Sequence, residues 1–191
     1  MRSLAPLLAA VLLSLSCDGD AESQALQEPQ ATAGRDPADP AATPPESRKK
    51  PPPLDLAAWL NAQPTSLDEL KGKVVVLDFW GTRHGRCRRL MPRLQALYEK
   101  HKEHGLVVVG ITEDPRAEAE AFAKTHHITY PLACDRMADG FGRTFDAYAV
   151  ATVPTTWVID RQGGVAWRGP GHELREELVL AELKREERGE R

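Results

Sequence analysis

The most constraining feature of this chain is the run Val74-Val75-Val76-Leu77-Asp78-Phe79-Trp80, apolar and β-branched apart from one acid. The run does not alternate, so both of its faces must be covered, as they are in a strand deep inside a sheet. Leu106 to Ile111 (LVVVGI) has the same character. Between the two, Cys87 to His101 carries Leu90, Met91, Leu94, Leu97 and Tyr98 at helical spacing, and Gly105 closes that helix. Pro115 to His126 reads as a helix with proline near its start. Ile128 to Cys134 is a short strand, and Gly140 to Tyr148 is helical in pattern. Trp157 to Asp160 and Val165 to Arg168 are strands joined by the turn Arg161-Gln162-Gly163-Gly164. His172 to Glu187 is a charged amphipathic helix, and Leu54 to Leu70 is expected to pack as a short helix or irregular segment. Strands alternating with helices predict an α/β domain over 54–188 with a mostly parallel sheet closed by an antiparallel hairpin.

Upstream the composition changes. Arg2 precedes the apolar stretch Leu4 to Leu15, which is shorter than the roughly 20 residues a membrane-spanning helix needs. Ser16 and Cys17 follow, so 1–16 reads as an export signal of the bacterial lipoprotein type, with lipid added to Cys17. Ordinary secretion with cleavage near Ser16, and an uncleaved anchor, are the other readings. All three place the domain outside the cytoplasm. Residues 17–53 are rich in Ala, Pro, Gln and Glu and carry no apolar period, so they are expected to form a disordered tether. The net charge of -3 gives no overall basic field for nucleic acid. Three cysteines, Cys17, Cys87 and Cys134, are too few for a disulfide scaffold or a four-ligand zinc site.

The segment from Asp78 to Pro92 (DFWGTRHGRCRRLMP) resembles the F-W-A-x-W-C-x-x-C-R-x-x-M-P block of thioredoxin-like proteins. It is most similar to the exported TlpA/ResA-type thiol-disulfide oxidoreductases. Gly72-Lys73-Val74-Val75, Val107 to Ile111, Tyr130-Pro131-Leu132 and Val153 to Gly163 (VPTTWVIDRQG) agree with that family in order and spacing. The resemblance implies a thioredoxin-like fold: a central mixed sheet, flanking helices and an inserted αβ unit. It implies that Pro154 is cis and lies against the active turn, with Val153 before it on the binding surface. It also implies that Asp78, six residues before His84, is a buried acid that moves the proton of the second cysteine. Such an acid should have a raised pKa; the other reading is a strand-end Asp or a cap. Trp80, Arg83 and Arg86 fall where the family contacts substrate.

The turn departs from the family at several positions. Dithiol exchange needs an attacking thiolate at the helix N-terminus and a second thiol that resolves the mixed disulfide. Here the attacking position is His84 and the resolving position is Cys87. Arg83 replaces the usual tryptophan, Arg86 the usual proline, and Leu90 an acid found in ResA-type members. Impaired exchange is therefore expected. Arg83, Arg86, Arg88 and Arg89 together could attract an anion or simply form a solvated helix face. His84 and Cys87 could bind a soft metal such as Cu(I), or His84 could act as base for Cys87. Two candidate ligands do not make a site, so no metal and no cofactor are assigned. A Cys87–Cys134 disulfide is conceivable; a buried, inert Cys134 fits the family topology better.

Three functions follow: a residual redox enzyme using Cys87, Asp78 and Pro154, a non-catalytic module for an anionic protein or peptide, and a copper handler. The expected partners are a protein or peptide thiol or disulfide and a membrane reached through Cys17. The expected oligomeric state is a monomer.

Overall fold

The computed structural model describes residues 48–185, and the expected signal segment, Cys17 and most of the expected tether lie outside them. The strands are β1 (Leu56–Leu60), β2 (Val74–Trp80), β3 (Leu106–Thr112), β4 (Leu132–Asp135), β5 (Met137–Ala138), β6 (Phe141–Gly142), β7 (Thr155–Ile159) and β8 (Val165–Pro170). The helices are α1 (Gly85–His101), α2 (Arg116–Thr125), α3 (Arg143–Ala147) and α4 (Glu176–Leu183). Six strands form one sheet in the order β1-β4-β3-β2-β7-β8, with β5 and β6 a separate small hairpin. β2 pairs parallel with β3, and β3 with β4; β1, β7 and β8 run antiparallel to their neighbours. The sheet is mixed, as the resemblance implies, but two of its five pairings are parallel rather than most of them, because β1 and β7 both add antiparallel to the β4-β3-β2 core.

All seven residues of β2 are buried, as an apolar run without alternation requires. The strand still has two faces. Val74, Val76 and Trp80 join Cys87, Met91 and Leu94 of α1, Phe122 of α2 and Val179 of α4 in one core. Val75, Leu77 and Phe79 join Phe145 and Tyr148, at the end of α3, in the other. By the strand's period of two, Asp78 faces the α1 side.

Two expectations change. Leu54 to Leu70 is not helical: Leu56–Leu60 is an edge strand antiparallel to β4. Asn61, with φ of 61°, ends it, and its side-chain amide donates to Ile128 O at 3.0 Å. The pairing with β4 supplies hydrogen bonds that no pattern within the segment announces. Second, residues 48–53, expected in the tether, pack against the domain. Val165 N–H donates to Lys49 O at 2.9 Å, and Tyr148 Oη donates to Pro52 O at 2.7 Å. Arg48 is buried, with Nη1 donating to Asp160 Oδ2 at 3.1 Å and to Glu182 Oε2 at 2.9 Å. Residues 48–53, tether-like in composition, are held to the domain by partners far along the chain.

Candidate active site

The turn between β2 and α1 is held by backbone and one carboxylate. His84 N–H donates to Gly81 O at 3.2 Å, and Thr82 N–H donates to Asp114 Oδ2 at 2.6 Å. α1 then starts at Gly85 with His84 as its N-cap, and no side chain caps it. Its first turn has no acid, so Arg86, Arg88 and Arg89 oppose the helix dipole there, whereas Lys100 and His101 in the last turn suit it. Arg83, Arg86, Arg88 and Arg89 are all exposed. Arg83 Nη2 lies 3.6 Å from Glu118, and Arg88 Nη1 lies 3.4 Å from Thr82 O. The arginines therefore face solvent, away from the buried sulfur of the same turn.

Cys87 lies one turn into α1 and is fully buried. Burial pushes its thiol up to about 11, and the Asp78 and Asp114 carboxylates add to the rise. Backbone N–H groups of Gly81 and of Cys87 itself pull in the other direction. His84 is exposed; its ring leans over Gly81, where a Cβ would come within 3.0 Å of His84 Cδ2. The imidazole and the thiol thus occupy different environments. Among the described residues no group of three His, Cys, Asp or Glu side chains could hold a metal ion. Cys87 and Cys134 are both buried free thiols.

Asp78 is fully buried on the same side of the sheet as Cys87. Burial raises its carboxyl from 3.8 to about 7, opposed by a hydrogen bond from Thr156. Thr156 is its register partner across the β2–β7 pair, and Thr156 Oγ1 donates to Asp78 Oδ1 at 2.8 Å. Sequence reasoning did not single out Thr156, although its place two residues after Pro154 on an antiparallel strand is a usable signal. Val153–Pro154 is a cis peptide, and Pro154 is buried with its carbonyl accepting from Gly171 N–H at 2.9 Å. A Cβ on Gly171 would strike Leu90 and come within 2.7 Å of Thr156 Oγ1 and 3.1 Å of Pro154 Cβ. Leu90, Thr156 and Pro154 therefore converge on one glycine, linking α1, the cis-proline strand and the buried acid.

The binding set needs one correction. Trp80, expected on the substrate surface, is 1% exposed. Its indole packs on Phe122 with ring centroids 5.0 Å apart and covers Gly110, where a Cβ would come within 3.0 Å of Nε1. Its even position on β2 turns it toward α1 and away from solvent. Val153 is half-buried beside Pro154, and Arg83 and Arg86 remain on the open rim.

A parallel strand feeding a turn and a helix, with a buried acid beneath and a cis-proline beside it, defines a thioredoxin-like domain of the thiol-disulfide oxidoreductase kind. The chain belongs to the AhpC/TSA family, which matches residues 49–168. It is 33% identical over 120 residues to a thiol-disulfide oxidoreductase ResA of Bacillus cereus, covering 62% of this chain and 67% of that one. Against ResA of Geobacillus kaustophilus it is 35% identical over 100 residues, 52% of this chain and 55% of the relative. Among solved structures, a thiol-disulfide isomerase from Corynebacterium glutamicum has a TM-score of 0.63 at 22% identity, over 72% of this chain and 95% of that one. A thiol:disulfide interchange protein of the thioredoxin family from Chlorobium tepidum has a TM-score of 0.59 at 24% identity, over 71% and 97%. At those identities the two structures establish the shared fold.

Proposed function

We propose that this chain is an envelope thioredoxin-like protein in which ordinary two-cysteine exchange is impaired, acting on or binding a protein or peptide thiol partner. The observation that carries this reading is the contrast within one turn. The exposed position at the start of α1 is His84, and the sulfur is a fully buried thiol pushed up to about 11. Imidazole cannot form a disulfide, and a buried thiol is a poor nucleophile. The proposed organisation is an export segment 1–16, lipid on Cys17, and a tether that ends where Arg48 enters the domain. Its support is the composition of the first residues, where the apolar stretch Leu4 to Leu15 is followed by Ser16 and Cys17.

The test is incubation with a disulfide substrate followed by mass spectrometry. No Cys87 mixed disulfide is expected from mildly acidic to mildly alkaline pH, and a stoichiometric adduct would overturn the reading. His84→Cys should then confer reductase activity if a single sulfur is what the turn lacks. A second reading, a binding module for an anionic partner, is favoured by the exposed Arg83, Arg86, Arg88 and Arg89 at the start of α1. Binding that weakens with salt and is lost in an Arg83→Ala, Arg86→Ala variant would support it; salt-insensitive binding would exclude it.

A further inference from the structure

Around Asp78 three buried polar atoms have no hydrogen-bond partner among the described residues: Asp78 Oδ2, Trp80 Nε1 and Tyr130 Oη. The sheet places their residues on or beside adjacent strands. Asp78 is the register partner of Gly110 on β3, and Gly110 is the partner of Leu132 on β4. Gly110 has no side chain, and the indole of Trp80 fills the space above it. Tyr130 lies just before β4; the carbonyl of its neighbour Pro131 accepts from Gly110 N–H at 2.9 Å. Its own side chain is fully buried in the same core as Trp80 and Cys87. Burial first, then Asp78 and Cys87, push its phenol well above its ordinary value, so Tyr130 lies in the field of the buried acid and the thiol.

Two donors and one acceptor, each buried and each without a partner among the described residues, form the surroundings of a structural water. Such waters make about three hydrogen bonds to polar groups that would otherwise go unmatched. The alternative is three separate unpaired groups on one face, which native interiors avoid. We propose that Tyr130 is a positioning residue for the buried acid, its hydroxyl joined to Asp78 Oδ2 through one ordered water that the Trp80 indole N–H also holds. The water accepts from Tyr130 O–H and from Trp80 N–H and donates to Asp78 Oδ2. Thr156 holds Oδ1, so both carboxylate oxygens have a partner. Donation to a carboxylate is stronger than donation to the neutral acid, so the arrangement favours ionised Asp78. The groups facing Asp78 are Cys87 from α1, Tyr130 from the segment before β4, Thr156 from β7 and Trp80 from its own strand; Asp114 acts farther out, on Cys87.

This inference rests on Asp78 being the acid beneath Cys87. Its test needs no turnover, so absence of exchange chemistry leaves it intact. The full chain, labelled with 13C at aspartate carboxyls, is titrated by NMR, with Asp78→Asn identifying the resonance. Tyr130→Phe should move the Asp78 midpoint upward by about 0.5 pH unit or more, Trp80→Phe should move it less, and Thr156→Val gives the reference upward shift. Replacing the tyrosines with 3-fluorotyrosine, an isosteric and stronger donor, should move it downward. A packing role for Tyr130 alone would alter the urea midpoint and leave the titration in place. An unchanged Asp78 midpoint in Tyr130→Phe overturns the proposal; should that variant not fold, an unchanged midpoint with 3-fluorotyrosine does so.

Discussion

Thr156 Oγ1 donates to Asp78 Oδ1 at 2.8 Å across the β2–β7 pair, joining two fully buried residues 78 positions apart. The bond ties the strand that begins at the cis-proline to the strand that ends at the turn. It also stabilises the charged form of an acid that its surroundings penalise.

That penalty makes stability pH-dependent. The Asp78 carboxyl is raised from 3.8 to about 7, so between those values the folded protein keeps a proton that the unfolded chain releases. Stability from this group is fully present below about pH 4 and falls as pH rises to about 7. A rise of that size corresponds to roughly 4 kcal/mol. Asp78→Asn cannot ionise, so it should be stabilising by a few kcal/mol at about pH 8 and near neutral at about pH 4.5. Urea unfolding at the two pH values measures the difference; equal effects at both would show that Asp78 is not buried as an acid. Thr156→Val removes the bond to the carboxylate and should cost about 1–3 kcal/mol at about pH 8, and less at about pH 5.

Cys87 should behave as an inert thiol while the domain is folded. With its pKa pushed up to about 11, only on the order of one molecule in 3,000 is thiolate at about pH 7.5. Iodoacetamide should label neither Cys87 nor the buried Cys134 in native buffer, and both in denaturant, as intact mass would show. His84→Ala should leave the native labelling rate of Cys87 unchanged, because His84 is exposed and the sulfur is not. A rate that falls in this variant would instead establish His84 as a base for the thiol.

Gly110 makes room for Trp80 beside the acid. A Cβ there would lie 2.5 Å from Leu132 Cδ2 and 3.0 Å from Trp80 Nε1. Gly110→Ala should therefore cost about 1–3 kcal/mol by overpacking. Leu132→Ala, itself destabilising, should be less so in the Gly110→Ala background, because the two share one space. Additive effects in a double-mutant cycle would show that the sheet relaxes around the methyl.

Much of this arrangement could be read from residues alone, and the failures have a common cause. β2 and α1 announce themselves because their patterns are local: an unbroken apolar run and a helical period. β1 does not, because Leu-Ala-Ala-Trp-Leu becomes a strand only through its pairing with β4. The positions of Asp78, Cys87 and Pro154 came from a family likeness. The burial of Trp80 depends on a glycine on the next strand, and Thr156 matters only because β7 runs antiparallel to β2 in that register.

Arg48 shows the same limit most sharply, and it carries the last prediction. By composition it belongs with Arg48-Lys49-Lys50-Pro51, an ordinary charged and proline-rich linker. In the structure its guanidinium is held by carboxylates 112 and 134 residues away, and the Arg48, Asp160 and Glu182 side chains are each no more than 2% exposed. Asp160 also accepts from the backbone N–H groups of Gln162 and Gly164, at 3.0 and 2.7 Å, so it shapes the β7–β8 turn. Arg48→Met should cost about 3–5 kcal/mol, because it leaves Asp160 with backbone N–H donors alone and Glu182 with only the 3.7 Å contact to Arg185, rather than merely removing an attraction. Adding Glu182→Leu should recover part of that loss, since one poorly compensated buried charge goes with it. If instead the single variant unfolds at the wild-type urea concentration, the three charges are solvated and the chain before Pro51 is not anchored. Limited proteolysis with trypsin reads the same question directly: in Arg48→Met, cleavage after Lys49 should accelerate while the rest of the domain stays resistant.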